Sequence, residues 1–216
     1  VRLATWNVPY RLDNSGAKYR ADMERLIAKH HPWVIALQET TDKSPAQIAP
    51  DGWGWVRPVK GQSASLIYRK SKLVVVDQGA YRLHSKDWEP VRYIVWARFR
   101  RKDNDKLKII GSAHLVAFKE SKPKNGKEFI KQQKRAANWI ESRPKSTVVL
   151  GDWNGTPGDW TPDLTERCTP SKPRFETGPS GQKIDYAWHR KDKPNRVEGI
   201  ATMKGVSDHK AYVCDG

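Results

Sequence analysis

Residues 107–115 (LKIIGSAHL) and 146–154 (STVVLGDWN) decide how this chain folds. Each begins as an apolar run rich in Val, Ile and Leu and ends on polar residues, His114 in the first and Asp152 with Asn154 in the second. Such runs read as buried strands. Between them, Phe129, Ile130, Gln133, Ala137 and Ile140 share one face of a helix spanning about Lys127 to Ser142. A crossover of this kind makes its two strands parallel, so both polar ends lie at the carboxyl edge of one sheet. Ligands of α/β folds gather at that edge.

The same unit occurs earlier. Arg2–Asn7 alternates as a strand, and Tyr19, Met23, Leu26 and Ile27 have helical spacing between about Lys18 and His30. Pro32 stops that helix, and Trp33–Glu39 (WVIALQE) is a second buried strand. Its polar ends are Asn7 and Glu39. Segments 54–60, 64–69, 72–83 and 91–99 alternate between the units, and 184–189, 196–203 and 211–214 follow them. Two helices and about ten strands predict two packed sheets with helices outside. The 216 residues suit a single domain over 1–216.

Forty Lys and Arg against 24 Asp and Glu leave a net charge of +16, a field that draws polyanions. The 37% hydrophobic content and ten Trp exclude a disordered chain. No run approaches the roughly 18 apolar residues of a membrane span, and Val1–Tyr10 lacks the apolar core of a signal peptide. The expectation is a soluble monomer, cytoplasmic before secreted, export requiring a leader already removed. Cys168 and Cys214 fit neither a disulfide scaffold nor a zinc site and read as buried or free thiols.

Polar residues at strand ends carry the chemistry: Asn7, Glu39, Arg92, His114, Asp152, Asn154, Asp185 and the pair Asp208–His209. Taken singly, each has a bland reading, since Asn after a strand forms turns and Gly-Asp-Trp-Asn is ordinary loop chemistry. Their joint order is distinctive. TWN (5–7), LQET (37–40), SAHL (112–115), GDWN (151–154), IDYAW (184–188) and SDHKAY (207–212) together resemble the endonuclease/exonuclease/phosphatase superfamily, in its deoxyribonuclease I-like form. The resemblance implies a four-layer α/β/β/α sandwich of two mixed sheets flanked by helices, with the active site where the ends of the two sheets meet.

It also implies hydrolysis of a phosphate ester, which needs neutralised phosphoryl oxygens, an activated water and help for the leaving oxygen. Glu39 offers the hard oxygen that Mg²⁺ prefers, with Asn7 and Asp208 completing or water-linking the same ion and Mn²⁺ as the alternative metal. His209 suits phosphate contact or proton transfer, with Asp185 fixing its tautomer. Asp152 would orient or deprotonate water, and Asn154 would hold water or a phosphoryl oxygen. His114 is a second imidazole of the same kind, and Arg92 matches a phosphate-binding position. SAHL replaces the Tyr-Val-Pro-Asn type segment of abasic-site endonucleases. Relatives of the deoxyribonuclease I type pair that first histidine with a glutamate from an earlier strand. The matching window here, 61–69 (GQSASLIYR), has no carboxylate.

Three clusters hold much of the positive charge. Arg98–Lys108 should form a hairpin tip remote from the site, 119–135 leaves the active edge, and 189–196 has no assigned place. Lys119, Lys122 and Lys124 are therefore the expected phosphate-backbone contacts. Trp6, Trp33, Trp96 and Trp139 read as core, while Trp153 and Trp160 are candidates for stacking on a base. The favoured reading is a Mg²⁺-dependent nuclease, DNA before RNA, cutting endonucleolytically. The alternatives are hydrolysis of a phosphoinositide, phospholipid or nucleotide, and an inactive nucleic-acid-binding module.

Overall fold

The computed structural model describes residues 1–8, 16–40, 49–59, 63–86, 91–117, 123–171, 176–178, 181–192, 198–203 and 207–215. In chain order the first half contains β1 (Arg2–Asn7), α1 (Gly16–His30), β2 (Val34–Gln38), β3 (Trp53–Val56), β4 (Ala64–Arg69), β5 (Leu73–Arg82) and β6 (Tyr93–Arg101). The second half contains β7 (Leu107–His114), α2 (Pro123–Glu141), β8 (Val148–Asp152), α3 (Pro162–Arg167), β9 (Cys168–Pro170), β10 (Asp185–Arg190), β11 (Glu198–Met203) and β12 (Ala211–Asp215). One sheet has the order β11-β12-β1-β2-β4-β3 and the other β5-β6-β7-β8-β10-β9.

Each sheet is built around one parallel pair. β1 lies parallel to β2 with Asn7 opposite Gln38, and β7 lies parallel to β8 with His114 opposite Asp152. The remaining pairs are antiparallel. Because successive side chains point to opposite faces, each strand of a pair feeds two cores. Leu3, Ala36, Leu66, Val95, Ile110, Leu150 and Tyr212 fill the layer between the sheets. Ala4, Trp6, Ile35 and Leu37 face outward against Tyr19, Met23 and Leu26 of α1. Ile94, Ala113 and Val149 meet Phe129, Ala137 and Ile140 of α2 on the other flank. The result is the expected four-layer α/β/β/α sandwich.

A buried polar chain crosses the layer between the sheets. Thr5 donates to Gln38 Oε1 at 3.1 Å, Gln38 Nε2 donates to Ser112 Oγ at 3.0 Å, and Ser112 donates to the Leu37 carbonyl at 3.0 Å. These bonds join the first sheet to the second just below the carboxyl edge.

Two expectations need correcting. α3 and β9 were not legible as elements, since six and three residues are too few for a periodic signal. Trp33 and Trp96 are only partly buried: Arg101 and Lys72 cover the Trp33 ring, and Arg143 covers Trp96. The β6–β7 hairpin does turn at the far end, with Arg100 opposite Leu107 and Ile94 opposite Ala113.

Gly151 lets β8 approach β7. Its φ is +154°, and a Cβ there would fall 1.9 Å from the Ala113 carbonyl oxygen, a backbone atom that cannot swing aside. Gly151→Ala should therefore destabilise the protein by more than about 2 kcal/mol in urea unfolding. A change within about 0.5 kcal/mol would mean that the backbone relaxes there freely.

Candidate active site

The parallel registers bring Asn7, Glu39, His114 and Asp152 to one edge, two from each sheet. Asn7 Nδ2 donates to Glu39 Oε1 at 3.2 Å and to Asp152 Oδ2 at 2.9 Å, tying the first sheet to the second. Ser207, on the approach to β12, donates to the Asn7 carbonyl at 2.5 Å and accepts from the His209 N–H at 3.0 Å. Asn7 and His209 are thereby held in one unit. Thr177 Oγ1 accepts from the Asp185 N–H at 3.1 Å and fixes the start of β10.

Backbone strain marks two of these positions. Glu39 and Asn154 have φ of 58° and 49°. Asn tolerates that left-handed region, but Glu does so at a cost of about 1–2 kcal/mol, which surrounding structure must offset. Asn154 is locked by its N–H to Asp152 Oδ1 and its side-chain Nδ2 to the Leu115 carbonyl, both at 2.9 Å.

His209 Nδ1 lies 3.1 Å from Asp185 Oδ2, and its Nε2 lies 3.8 Å from Asp152 Oδ2. Burial alone would lower the His209 pKa, but the hydrogen bond and charge of Asp185, with the charges of Asp152 and Asp208, outweigh it and raise the value to about 9. The ring is therefore an imidazolium at neutral pH, donating from Nδ1 to Asp185. Asp152 moves in the other direction from an ordinary carboxyl group. Burial and then the charge of Asp185 raise it to about 7, against the pull of His209, Asn7 and the Asn154 N–H. A carboxyl poised there can take or give a proton near neutrality.

His114 is different from His209. Burial, then the positive charges of Arg92 and His209, push its pKa well below the usual imidazole range, so it is neutral. Its Nε2 is 3.8 Å from Asp152 Oδ2, and its buried Nδ1 meets no hydrogen-bond partner among the described residues. Arg92, immediately before β6, donates from Nη1 to Ser63 Oγ at 3.0 Å. Burial lowers its pKa, while Asp152 and Glu39 pull it back up, and a guanidinium keeps its proton regardless. Arg92 thus anchors on the 61–69 window that lacks a carboxylate, and its charge acts on His114. Ser63 and Ser207 gave no sequence signal, being single serines in loops.

Asp208 adjoins His209, whose pKa its charge helps to raise. Asp208 is exposed, and no hydrogen bond or ion pair joins it to Asn7 or Glu39 among the described residues. Lys119 and Lys122 lie outside the described residues, and Lys124 is exposed in the first turn of α2. The two loop tryptophans need correction as base-stacking candidates. Trp153 is buried 5.3 Å from Trp188, and Trp160 packs edge-on against Tyr186 and Trp188 at 4.9 and 4.8 Å. The Trp153 ring is spent on the core under α2, while Trp160, partly buried, packs at its margin.

The donor set at the edge fits a hard divalent cation. Asn7 Oδ1 is buried without a partner, beside the carboxylates of Glu39 and Asp152. Oxygen ligands of this kind suit Mg²⁺ or Mn²⁺. Ligand atoms of Asp152, Asp185 and His209 also lie within 4.8 Å of one another, but His209 is already committed to Asp185.

A buried arginine, a neutral and a charged imidazole, and oxygen donors that fit a divalent cation together suit phosphoester chemistry. Residues 4–209 match the model of the Endonuclease/Exonuclease/phosphatase family, and the chain belongs to that family, whose members hydrolyse phosphoester bonds. No curated protein matches the chain. Among solved structures it is similar to D. rerio TDP2 complexed with a single-strand DNA product, at 15% identity and a TM-score of 0.78, covering 99% of this chain and 97% of that one. It is also similar to the human Nocturnin catalytic domain with bound sulfate (15%, 0.71, 99% and 92%). The Bacteroides thetaiotaomicron mannosyl-6-phosphatase is a third such relative (15%, 0.72, 100% and 98%). At these identities the structural likeness concerns the fold. No helix among the described residues is long and apolar enough to cross a membrane.

In metal-free protein the His209 ring should titrate near pH 9 by NMR. Asp185→Asn should lower it, because the hydrogen bond and the charge of Asp185 are lost while burial remains. Since the folded value is the higher one, stabilisation by the pair is complete below about pH 6.5 and is lost as pH rises through 9. An unchanged titration in Asp185→Asn would break the assignment of the pair.

Proposed function

We propose that the protein is a Mg²⁺-dependent nuclease, one domain that hydrolyses internal phosphodiester bonds of DNA in preference to RNA. The observation that carries this reading is the placement of Asp152, buried within reach of Asn7, His114 and His209 at the meeting of the two sheets. Nucleic acid is favoured over a small ester by the net charge of +16 and by the likeness to a structure that holds a single-strand DNA product.

In this reading Asn7 and Glu39 hold the ion, with Asp208 reaching it through water. The metal, when bound, polarises the phosphoryl group as a Lewis acid. Arg92 neutralises a non-bridging oxygen, its charge undiminished in a buried setting. His209, charged through Asp185, donates to phosphoryl oxygen where negative charge accumulates. Asp152, poised near neutrality, orients the attacking water and takes its proton. Neutral His114 donates its one ring N–H to a phosphoryl oxygen, and Asn154 holds water beside Asp152.

Glu39→Gln and His209→Ala should each lower the rate of plasmid cleavage in Mg²⁺ by at least about 100-fold while leaving the fold intact by circular dichroism. Activity within a few-fold of the parent in either variant, or activity that persists in excess EDTA, would remove these residues or the metal from the reaction.

A further inference from the structure

α2 carries four exposed lysines, Lys124, Lys127, Lys131 and Lys134, at spacings of three, four and three residues. That periodicity puts them on one face. They span about 15 Å along the helix axis, the rise of ten residues. Over this stretch the exposed face has no acidic residue: Glu128 points inward, its carboxylate accepting from the Ser85 N–H at 2.8 Å and the Ser85 hydroxyl at 2.7 Å. Among the described residues only Lys134 has a carboxylate within ion-pair reach, Asp163 at 3.8 Å, and Arg167 shares it.

This placement opposes what the helix itself would favour. Helix N-termini prefer carboxylates and C-termini prefer cations. α2 has no acidic residue in its first turn and no basic one in its last, whereas α1 ends on Lys29 and His30. Only Lys124 lies in the first turn, where a cation opposes the dipole, but a row of four cations with one carboxylate near it among the described residues points to a polyanion outside the chain.

The position of the helix says how that partner arrives. Gln132 accepts from the N–H of Val116, two residues beyond His114, so the first half of α2 lies beside the active edge. The chain then returns through β8 to Asp152, so the axis of α2 leads away from that edge down the flank of the sandwich. A duplex seated on the edge is too stiff to turn down the flank, its persistence length being about 150 base pairs, but a single strand can.

Resting on the nuclease reading above, we infer that the lysine face of α2 is a track for the phosphate backbone of a single strand leaving the active edge.

The test uses a fluorescent oligothymidylate of about 20 nucleotides, long enough for several contacts, bound in EDTA so that it is not cut. The variant Lys127→Gln/Lys131→Gln/Lys134→Gln keeps helix propensity and removes three charges. A control, Lys29→Gln/Lys70→Gln/Lys102→Gln, removes three exposed charges that lie outside α2, on α1 and on two strand turns.

The slope of log Kd against log salt should become shallower by about 2 in the α2 variant, about 0.7 for each lost contact to a single strand. It should change by less than one contact in the control. Equal effects of the two variants, no change in the α2 variant, no binding by the parent, or a larger effect on a duplex of the same length would overturn the track. A parent that binds with the expected slope but does not cut in Mg²⁺ would instead sink the nuclease reading and leave the track supported.

Discussion

The hydrogen bond from Asn7 Nδ2 to Asp152 Oδ2 is where the two sheets become one site. Neither sheet alone holds the full set: Asn7 and Glu39 come from one, and His114, Asp152 and Asp185 from the other. The sheets must therefore slide to one register and stay there. Apolar packing between Leu3, Ala36, Val95, Ile110 and Leu150 presses them together but is non-directional. The buried chain from Thr5 through Gln38 to Ser112 supplies the direction, and Gln38 directly precedes the strained Glu39. Breaking that chain would strand buried polar groups, so the correct register is favoured over its neighbours.

Charge at the edge is arranged so that neighbours set one another. Asp185 holds the proton on His209, His209 draws on Asp152, and Arg92 with His209 keeps the proton off His114. One anion-bound imidazolium, one neutral imidazole and one carboxyl near its midpoint follow from burial and spacing. Environments that push the pKa values of like groups apart are how acid and base roles become assigned. Where a carboxylate beside His114 would have favoured its protonation, burial and the charge of Arg92 keep that imidazole neutral.

The two crossover units were legible because their strands are continuous apolar runs and their helices are amphipathic over three or more turns. Their polar strand ends followed from parallel pairing, which is why Asn7, Glu39, His114 and Asp152 could be named together. The hairpin tip at 101–106 followed from strand direction in the same way. What escaped was set by three-dimensional neighbours with no sequence period. Ser63, Ser207 and Thr177 act through single hydrogen bonds from loops, and Gln38 and Ser112 look like ordinary strand residues. Trp153 and Trp160 misled for a related reason: a loop tryptophan beside a site reads the same whether it faces a ligand or a neighbouring ring.

The central claim is that this edge hydrolyses nucleic-acid phosphodiesters. It is tested most directly by supplying the purified protein in Mg²⁺ with plasmid DNA, single-stranded DNA, RNA, abasic duplex and phosphoinositide vesicles, and measuring the product from each. The account predicts nicking or internal cleavage of DNA, slower cleavage of RNA and no release of phosphate from the lipid. Phosphate release from the phosphoinositide with every nucleic acid left intact would contradict it.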